Sequence, residues 1–272
     1  MHIIDLPEQQ RNESVDIAQW NENCTLNVTN LSLQYDESKQ SSLKDISFSW
    51  KGFGKIGIIG ASGAGKSTLI NVLGGFAHPT SASIQINNET ITSFNTKEWQ
   101  QQVLYIPQHP YIFNDTLANN VSFYTPNATN EEIQQACHHA GLSTVIESLP
   151  NGLDERIGES GRALSGGQEQ RIAFARAFLD QSRKILLFDE PTAHLDIETE
   201  WELKQNILPL LDGRLVFFAT HRLHWMLEMD YIIVMDQGKI VETGTHEQLL
   251  KAQGYYTQLI QAQMHGTEEQ YG

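Results

Sequence analysis

Residues 60–68 read Gly-Ala-Ser-Gly-Ala-Gly-Lys-Ser-Thr, and they follow directly on the apolar run Lys-Ile-Gly-Ile-Ile-Gly at 55–60. No other stretch restricts the possible folds as much. A short continuous apolar run marks a strand buried on both faces. The glycines then let backbone N–H groups turn inward around an anion. The helical stretch from about Lys66 to Leu73 presents its N-terminus to the same space. Gly60, Gly65, Lys66 and Ser67 stand at the spacing Gly-x-x-x-x-Gly-Lys-Ser. In that pattern Lys66 supplies a point charge for the β- and γ-phosphates, and the Ser67 hydroxyl can ligate Mg²⁺. A glycine-rich turn would match four such positions by chance in about one chain of this length in a hundred. The strand before and the helix after are the context the pattern requires. Gly60, Ala61, Ser62, Gly63, Ala64, Gly65, Lys66, Ser67 and Thr68 are therefore expected to bind ATP or GTP.

A phosphate loop needs a carboxylate on a neighbouring strand. Ile-Leu-Leu-Phe-Asp at 185–189 is four apolar residues ending in Asp189. Ligands of open α/β sheets bind at the C-terminal ends of the strands, so Asp189 is the candidate metal carboxylate. Glu190 comes next, and in a continuing strand its side chain would point the other way. That permits two roles: Asp189 for Mg²⁺, Glu190 as general base on the attacking water. On its own an Asp-Glu pair would be a solvated strand end; beside residues 60–68 it is not.

Charge and composition narrow the class. The 272 residues include 18 basic and 33 acidic side chains, a net charge of −15, with 40% hydrophobic and 19% charged residues. Such a chain can bury a core, but it lacks the basic stripe of a nucleic-acid partner. Cys24 and Cys137 are far apart and outside any Cys-x-x-Cys pattern, so free thiols are expected. No apolar stretch approaches the roughly 20 residues of a membrane-spanning helix. The His138-His139 pair is expected to be solvated, not a metal site.

Residues 1–25 are polar and acidic, and are expected to form a linker or arm outside the core. Residues 26–263 then form the folded body, with a helical subdomain over about 95–180, and 264–272 form a tail. Strand signals occur at 26–35, 46–50, 55–60, 184–190, 214–220 and 231–244, the last as a hairpin turning at 236–238. Asn130 and Ser165 are candidate N-caps of two helices, the second running to about Asp180. Apolar strands alternating with helices imply a mainly parallel sheet.

Ala163 to Arg171 reads Ala-Leu-Ser-Gly-Gly-Gln-Glu-Gln-Arg. Leu164, Ser165, Gly166, Gly167 and Gln168 resemble the signature motif of ABC ATPases, a serine cap and two glycines that bare backbone amides for a γ-phosphate. The likeness covers about residues 26–263. It implies an α/β fold: a P-loop NTPase core with a mainly parallel sheet, an antiparallel β subdomain and an inserted helical subdomain. It also implies that residues 164–168 serve the nucleotide of a second ABC ATPase domain, in a head-to-tail dimer. Gln108 resembles the Q-loop glutamine that contacts Mg²⁺, and His221 the H-loop histidine that contacts the γ-phosphate. Tyr35 resembles the aromatic residue that stacks on adenine, although a tyrosine in a strand is more often simple packing. Residues 156–161 and 110–121 resemble exporter segments. The implied function is ATP hydrolysis that powers an exporter through a transmembrane domain, at the cytoplasmic face of the membrane. The stretches "PTAHLDIETE" and "THRLHWM" are similar to the CydD-type subunit of the cysteine/glutathione exporter.

One motif departs from the family. The usual Ser-Ala-Leu-Asp of the D-loop is Ala193-His194-Leu195-Asp196 here, which keeps Asp196 and puts His194 in the place of a small residue. Two other classes compete with an exporter: a soluble ABC ATPase acting in repair or at ribosomes, and a module that senses ATP without hydrolysing it. The net charge speaks against the first, and Glu190 with His221 against the second.

Overall fold

A computed structural model describes residues 19–34, 42–159 and 161–271, with side chains as far as residue 263. The order of elements begins with β1 (Thr25–Leu33), β2 (Leu43–Lys51), β3 (Gly54–Ile59), α1 (Lys66–Leu73), β4 (Ser81–Ile86) and β5 (Glu89–Ile91). Next come α2 (Lys97–Gln100), β6 (Val103–Ile106), β7 (Asp115–Thr116), α3 (Leu117–Val121), α4 (Asn130–His139), α5 (Ser143–Ser148), β8 (Arg156–Ile157) and α6 (Gly166–Leu179). The last third holds β9 (Ile185–Asp189), α7 (Ile197–Leu211), β10 (Leu215–Ala219), β11 (Tyr231–Asp236), β12 (Lys239–Gly244), α8 (His246–Ala252) and α9 (Tyr255–Tyr271).

Six strands form the central sheet in the order β12-β11-β3-β10-β9-β6. All neighbours are parallel except the β11–β12 hairpin. A second sheet, β2-β1-β4-β5, is antiparallel. This is the expected α/β architecture. Every residue of β9 and β10 is buried, which is why both read as unbroken apolar runs rather than alternating ones. The period of two still sorts them. Leu186, Phe188, Val216 and Phe218 face one core with the helices, while Ile185, Leu187, Leu215 and Phe217 face the other with α1 and the antiparallel sheet.

Four expectations are corrected. The linker assigned to 1–25 is part of the body at its end, because Trp20 is 2% and Cys24 3% exposed. The Trp20 ring meets Trp99 edge-on at 6.1 Å, and its indole N–H donates to the Gly52 carbonyl at 2.9 Å. Residues 1–18 of that segment lie outside the described residues. The helical region does not begin at 95, because β6 is a strand of the central sheet paired with β9. The cap of α4 is Thr129, not Asn130: Glu132 N–H donates to Thr129 Oγ1 at 3.2 Å, and Glu132 Oε2 accepts from Thr129 N–H at 2.7 Å. Finally, α9 carries helical backbone to Tyr271, through most of the expected tail. Ser165 caps α6 as expected, with a reciprocal bond to Gln168.

Candidate functional site

The parallel strands bring their C-terminal ends level. In register, Ala219 of β10 lies beside both Ile58 of β3 and Asp189 of β9. The three segments that leave these ends are the 60–68 loop, residues 190–196 and residues 220–222. They converge on a cleft of about 860 Å³.

The loop wraps the cleft because two glycines allow it. Gly65 precedes α1 with φ of 102°, in the region that favours glycine. A Cβ at Gly60 would stand 2.2 Å from the Met235 carbonyl oxygen, so no larger residue fits against β11. Gly65 provides no side-chain cap for α1, so the first amides of that helix are left for an anion. Lys66 is 6% exposed, and its Nζ donates to the Gly60 carbonyl at 3.0 Å and the Ala61 carbonyl at 3.2 Å.

The two carboxylates point to different partners, by a backbone other than the expected continuing strand. Ser67 Oγ donates to Asp189 Oδ1 at 2.8 Å. Burial pushes the Asp189 pKa up, helped by the charge of Glu190 and opposed by Ser67 and Lys66. The strand does not continue through Glu190, whose φ is 47°. A left-handed glutamate costs roughly 1–3 kcal/mol, a strain typical of functional turns. The turn bonds Glu190 N–H to the Ala219 carbonyl at 2.8 Å and swings the side chain into the cleft. There Oε2 accepts from the His221 ring Nδ1 at 2.7 Å, and Oε1 stands 3.5 Å from Lys66 Nζ. Burial works against its charge, yet His221 and Lys66 together hold its pKa below the ordinary value.

Ser62, Gly63, Ala64, Gly65, Lys66, Ser67, Thr68, Gln108, Glu190 and His221 all line the cleft. Asp189 lies beneath it, bonded to Ser67. Ser42, Lys44, Gln237 and Gly238 line it as well. The sequence marked Gln237 and Gly238 only as part of a hairpin turn, and Ser42 and Lys44 not at all. They reach the loop only because the antiparallel sheet and the β11–β12 turn meet there, with Lys44 N–H donating to the Gly238 carbonyl at 2.8 Å. Tyr35 lies outside the described residues.

Leu164, Ser165, Gly166, Gly167 and Gln168 do not line this cleft, and neither does Asp196. Ser165 and Gly166 are exposed. Asp196 caps α7, its two oxygens accepting from Thr199 N–H and Oγ1, each at 2.8 Å. Those bonds lower its pKa. The arrangement is therefore a phosphate cradle with a buried lysine, a hydroxyl–carboxylate pair fit for a hard cation, and a glutamate–histidine pair. The start of α6, capped by Ser165 itself, lies outside this cleft.

A family model described as "ABC transporter" matches residues 43–193. The "Glutathione/L-cysteine transport system ATP-binding/permease protein CydC" of Bacillus subtilis (strain 168) is 52% identical over 262 residues, covering 96% of this chain and 45% of that protein. The subunit named is CydC, where the sequence suggested CydD of the same exporter. An "ATP-dependent lipid A-core flippase" of Pseudomonas fluorescens (strain Pf0-1) is 39% identical over 235 residues, 86% of this chain and 39% of that protein. The solved "Structure of a bacterial Atm1-family ABC exporter with ATP bound" superposes with a TM-score of 0.82 at 31% identity, over 94% of this chain and 45% of that one. The chain thus spans less than half the length of these relatives.

Proposed function

The chain belongs to the ABC transporter family, and from that premise we propose that it binds and hydrolyses ATP to power an exporter. The observation that carries this reading is the cleft in which Ser67 meets Asp189 at 2.8 Å and His221 meets Glu190 at 2.7 Å, around one phosphate loop.

Mg²⁺ would be held by the Asp189 carboxylate, the Ser67 hydroxyl and the Gln108 amide oxygen, the hard oxygen donors it takes. Bound there, it would neutralise charge on the β- and γ-phosphate oxygens. The residues of the chain do the rest. Lys66 Nζ meets two carbonyls of its own loop and stands 3.5 Å from Glu190 Oε1. A polyphosphate offers Lys66 a stronger anion. His221 is 56% exposed at its side chain, with Nδ1 on Glu190, which leaves Nε2 for the γ-phosphate in this reading. As both partners turn to phosphate, Glu190 loses the interactions that depress its pKa and becomes a competent base for the attacking water. The left-handed turn at Glu190 keeps its carboxylate on this path, whereas a continued strand would aim it away.

Phosphate release by wild type and by Glu190→Gln tests this. We expect turnover in the wild type and background release in the variant, with ATP binding retained. Equal, slow release in both would overturn hydrolysis.

The energy goes, in this reading, to a transmembrane domain at the cytoplasmic face, with a second ABC ATPase domain completing each site through residues 164–168. No described helix is long and apolar enough to cross a membrane. For the cargo we assign glutathione or L-cysteine, supported by the 52% identity to the CydC protein. ATP-driven uptake of these thiols into inside-out vesicles tests the cargo separately, and uptake of neither refutes it.

A further inference from the structure

One contact outside the cleft joins the 107–109 segment, the 193–196 loop and the signature turn. His194, the residue that departs from the family pattern, has its ring Nε2 3.2 Å from Nδ1 of His109, with the ring centroids 4.8 Å apart. His109 directly follows Gln108, which lines the cleft. On its other side His194 rests on the first turn of α6. A Cβ at Gly166 would come within 3.3 Å of His194 Cγ, and one at Gly167 within 3.3 Å of the His194 carbonyl oxygen. Farther along the same helix, buried Gln170 donates from Nε2 to the Pro107 carbonyl at 3.3 Å. The 107–109 segment is therefore held twice, by α6 at Pro107 and by His194 at His109.

We propose that His194 is a positioning residue for ATP hydrolysis: through His109 it sets Gln108 in the cleft, and it ties that setting to the signature glycines 166 and 167. The proposal rests on the hydrolytic reading above. Two imidazoles meet through one nitrogen that donates and one that accepts, a directional bond and not mere contact. The signature turn lies close against His194, so a shift of residues 165–167 on meeting a phosphate displaces the ring. His109 and Gln108 move with it. A small side chain at 194 has no atom that reaches His109. One side chain thus links the loop that faces this chain's nucleotide to the loop that serves the opposite subunit's.

The test measures kcat and the affinity for a fluorescent ATP analogue in the hydrolysing assembly. The variants are His194→Ala, His109→Ala, the double variant and His194→Gln. Losing one hydrogen bond corresponds to roughly a two- to tenfold loss. We expect each alanine variant to lose kcat by that factor, with ATP affinity and Tm unchanged because both rings are exposed. The double variant should be no slower than either single one. His194→Gln, whose amide can still reach Nδ1 of His109, should keep most of the rate. A wild-type rate in His194→Ala overturns the proposal, as do losses that multiply in the double variant or an affinity that falls in step with kcat. Absence of phosphate release in the wild type overturns the hydrolytic reading and this inference together.

Discussion

At the scale of single residues, the cleft is organised around Glu190. Its carboxylate stands 3.5 Å from Lys66 Nζ and 2.7 Å from His221 Nδ1, the two contacts that the proposed mechanism hands over to phosphate. A general base contributes typically 10²–10⁴-fold, so Glu190→Gln should lose about that factor in kcat while the analogue still binds. A loss confined to affinity would place Glu190 in binding instead. The placement of Lys66, Ser67 and Asp189 was legible in the sequence because it follows from spacing and from a buried run. The turn at Glu190 was not. Asp-Glu-Pro fits a strand that continues as well as one that breaks, and only the bond to Ala219 fixes the left-handed backbone. Ser42 and Lys44 were invisible for another reason: they line the cleft through contacts between two sheets, which leave no local pattern.

Between elements, a buried carboxylate connects the segments after β9 and β10. Glu200 of α7 is 1% exposed. It accepts from Thr192 Oγ1 at 2.5 Å and Trp225 Nε1 at 2.8 Å, and it pairs with Arg222. Arg222 Nη2 also donates to the Leu195 carbonyl at 3.1 Å, so α7, residues 192–195 and the segment after His221 share one network. Burial alone would raise the Glu200 pKa. The bonds from His224, Thr192 and Trp225 and the charge of Arg222 outweigh it, and the pKa falls from 4.5 to about 2. The folded state thus favours the ionised form. Its stabilisation is present above pH 4.5 and is lost as pH falls toward 2, on the order of 3 kcal/mol. Urea melts across that range should show a shallower acid loss for Glu200→Gln than for wild type, on a lower plateau at neutral pH. Parallel curves would remove Glu200 as the cause. Elements were legible where period and length agreed, as in β9 and α1. The four-residue β6 hides between glutamines and a proline, and it becomes a strand only by pairing with β9. The Thr129 cap was readable, since Thr-x-x-Glu at 129–132 is a capping box. Trp20 was not, because its burial depends on Trp99. Trp20→Ala should cost about 3–5 kcal/mol in urea unfolding, and a cost near zero would return residues 19–24 to the status of a linker.

Across the whole molecule, the signature turn lies outside the cleft that the phosphate loop lines. Ser165 lines no part of the cleft, so Ser165→Arg should leave the analogue's affinity for the isolated chain unchanged. Phosphate release by the assembled dimer should nevertheless fall to background, since the signature turn then blocks the opposite site. Normal release would mean that each chain completes its own site. The division of the protein into a cradle and a detached turn was readable from the order of motifs. The contact between His194 and His109 was not, since it joins residues 85 apart in sequence.

The tryptophan at position 20 gives the chain a load path. Trp20 grips Trp99, and the Trp99 indole N–H donates to the Leu73 carbonyl at 2.7 Å, at the C-terminal end of the helix that follows the phosphate loop. A pull on Trp20 is therefore passed on to Trp99. It arrives at the C-terminal end of α1, the end opposite the 60–68 loop.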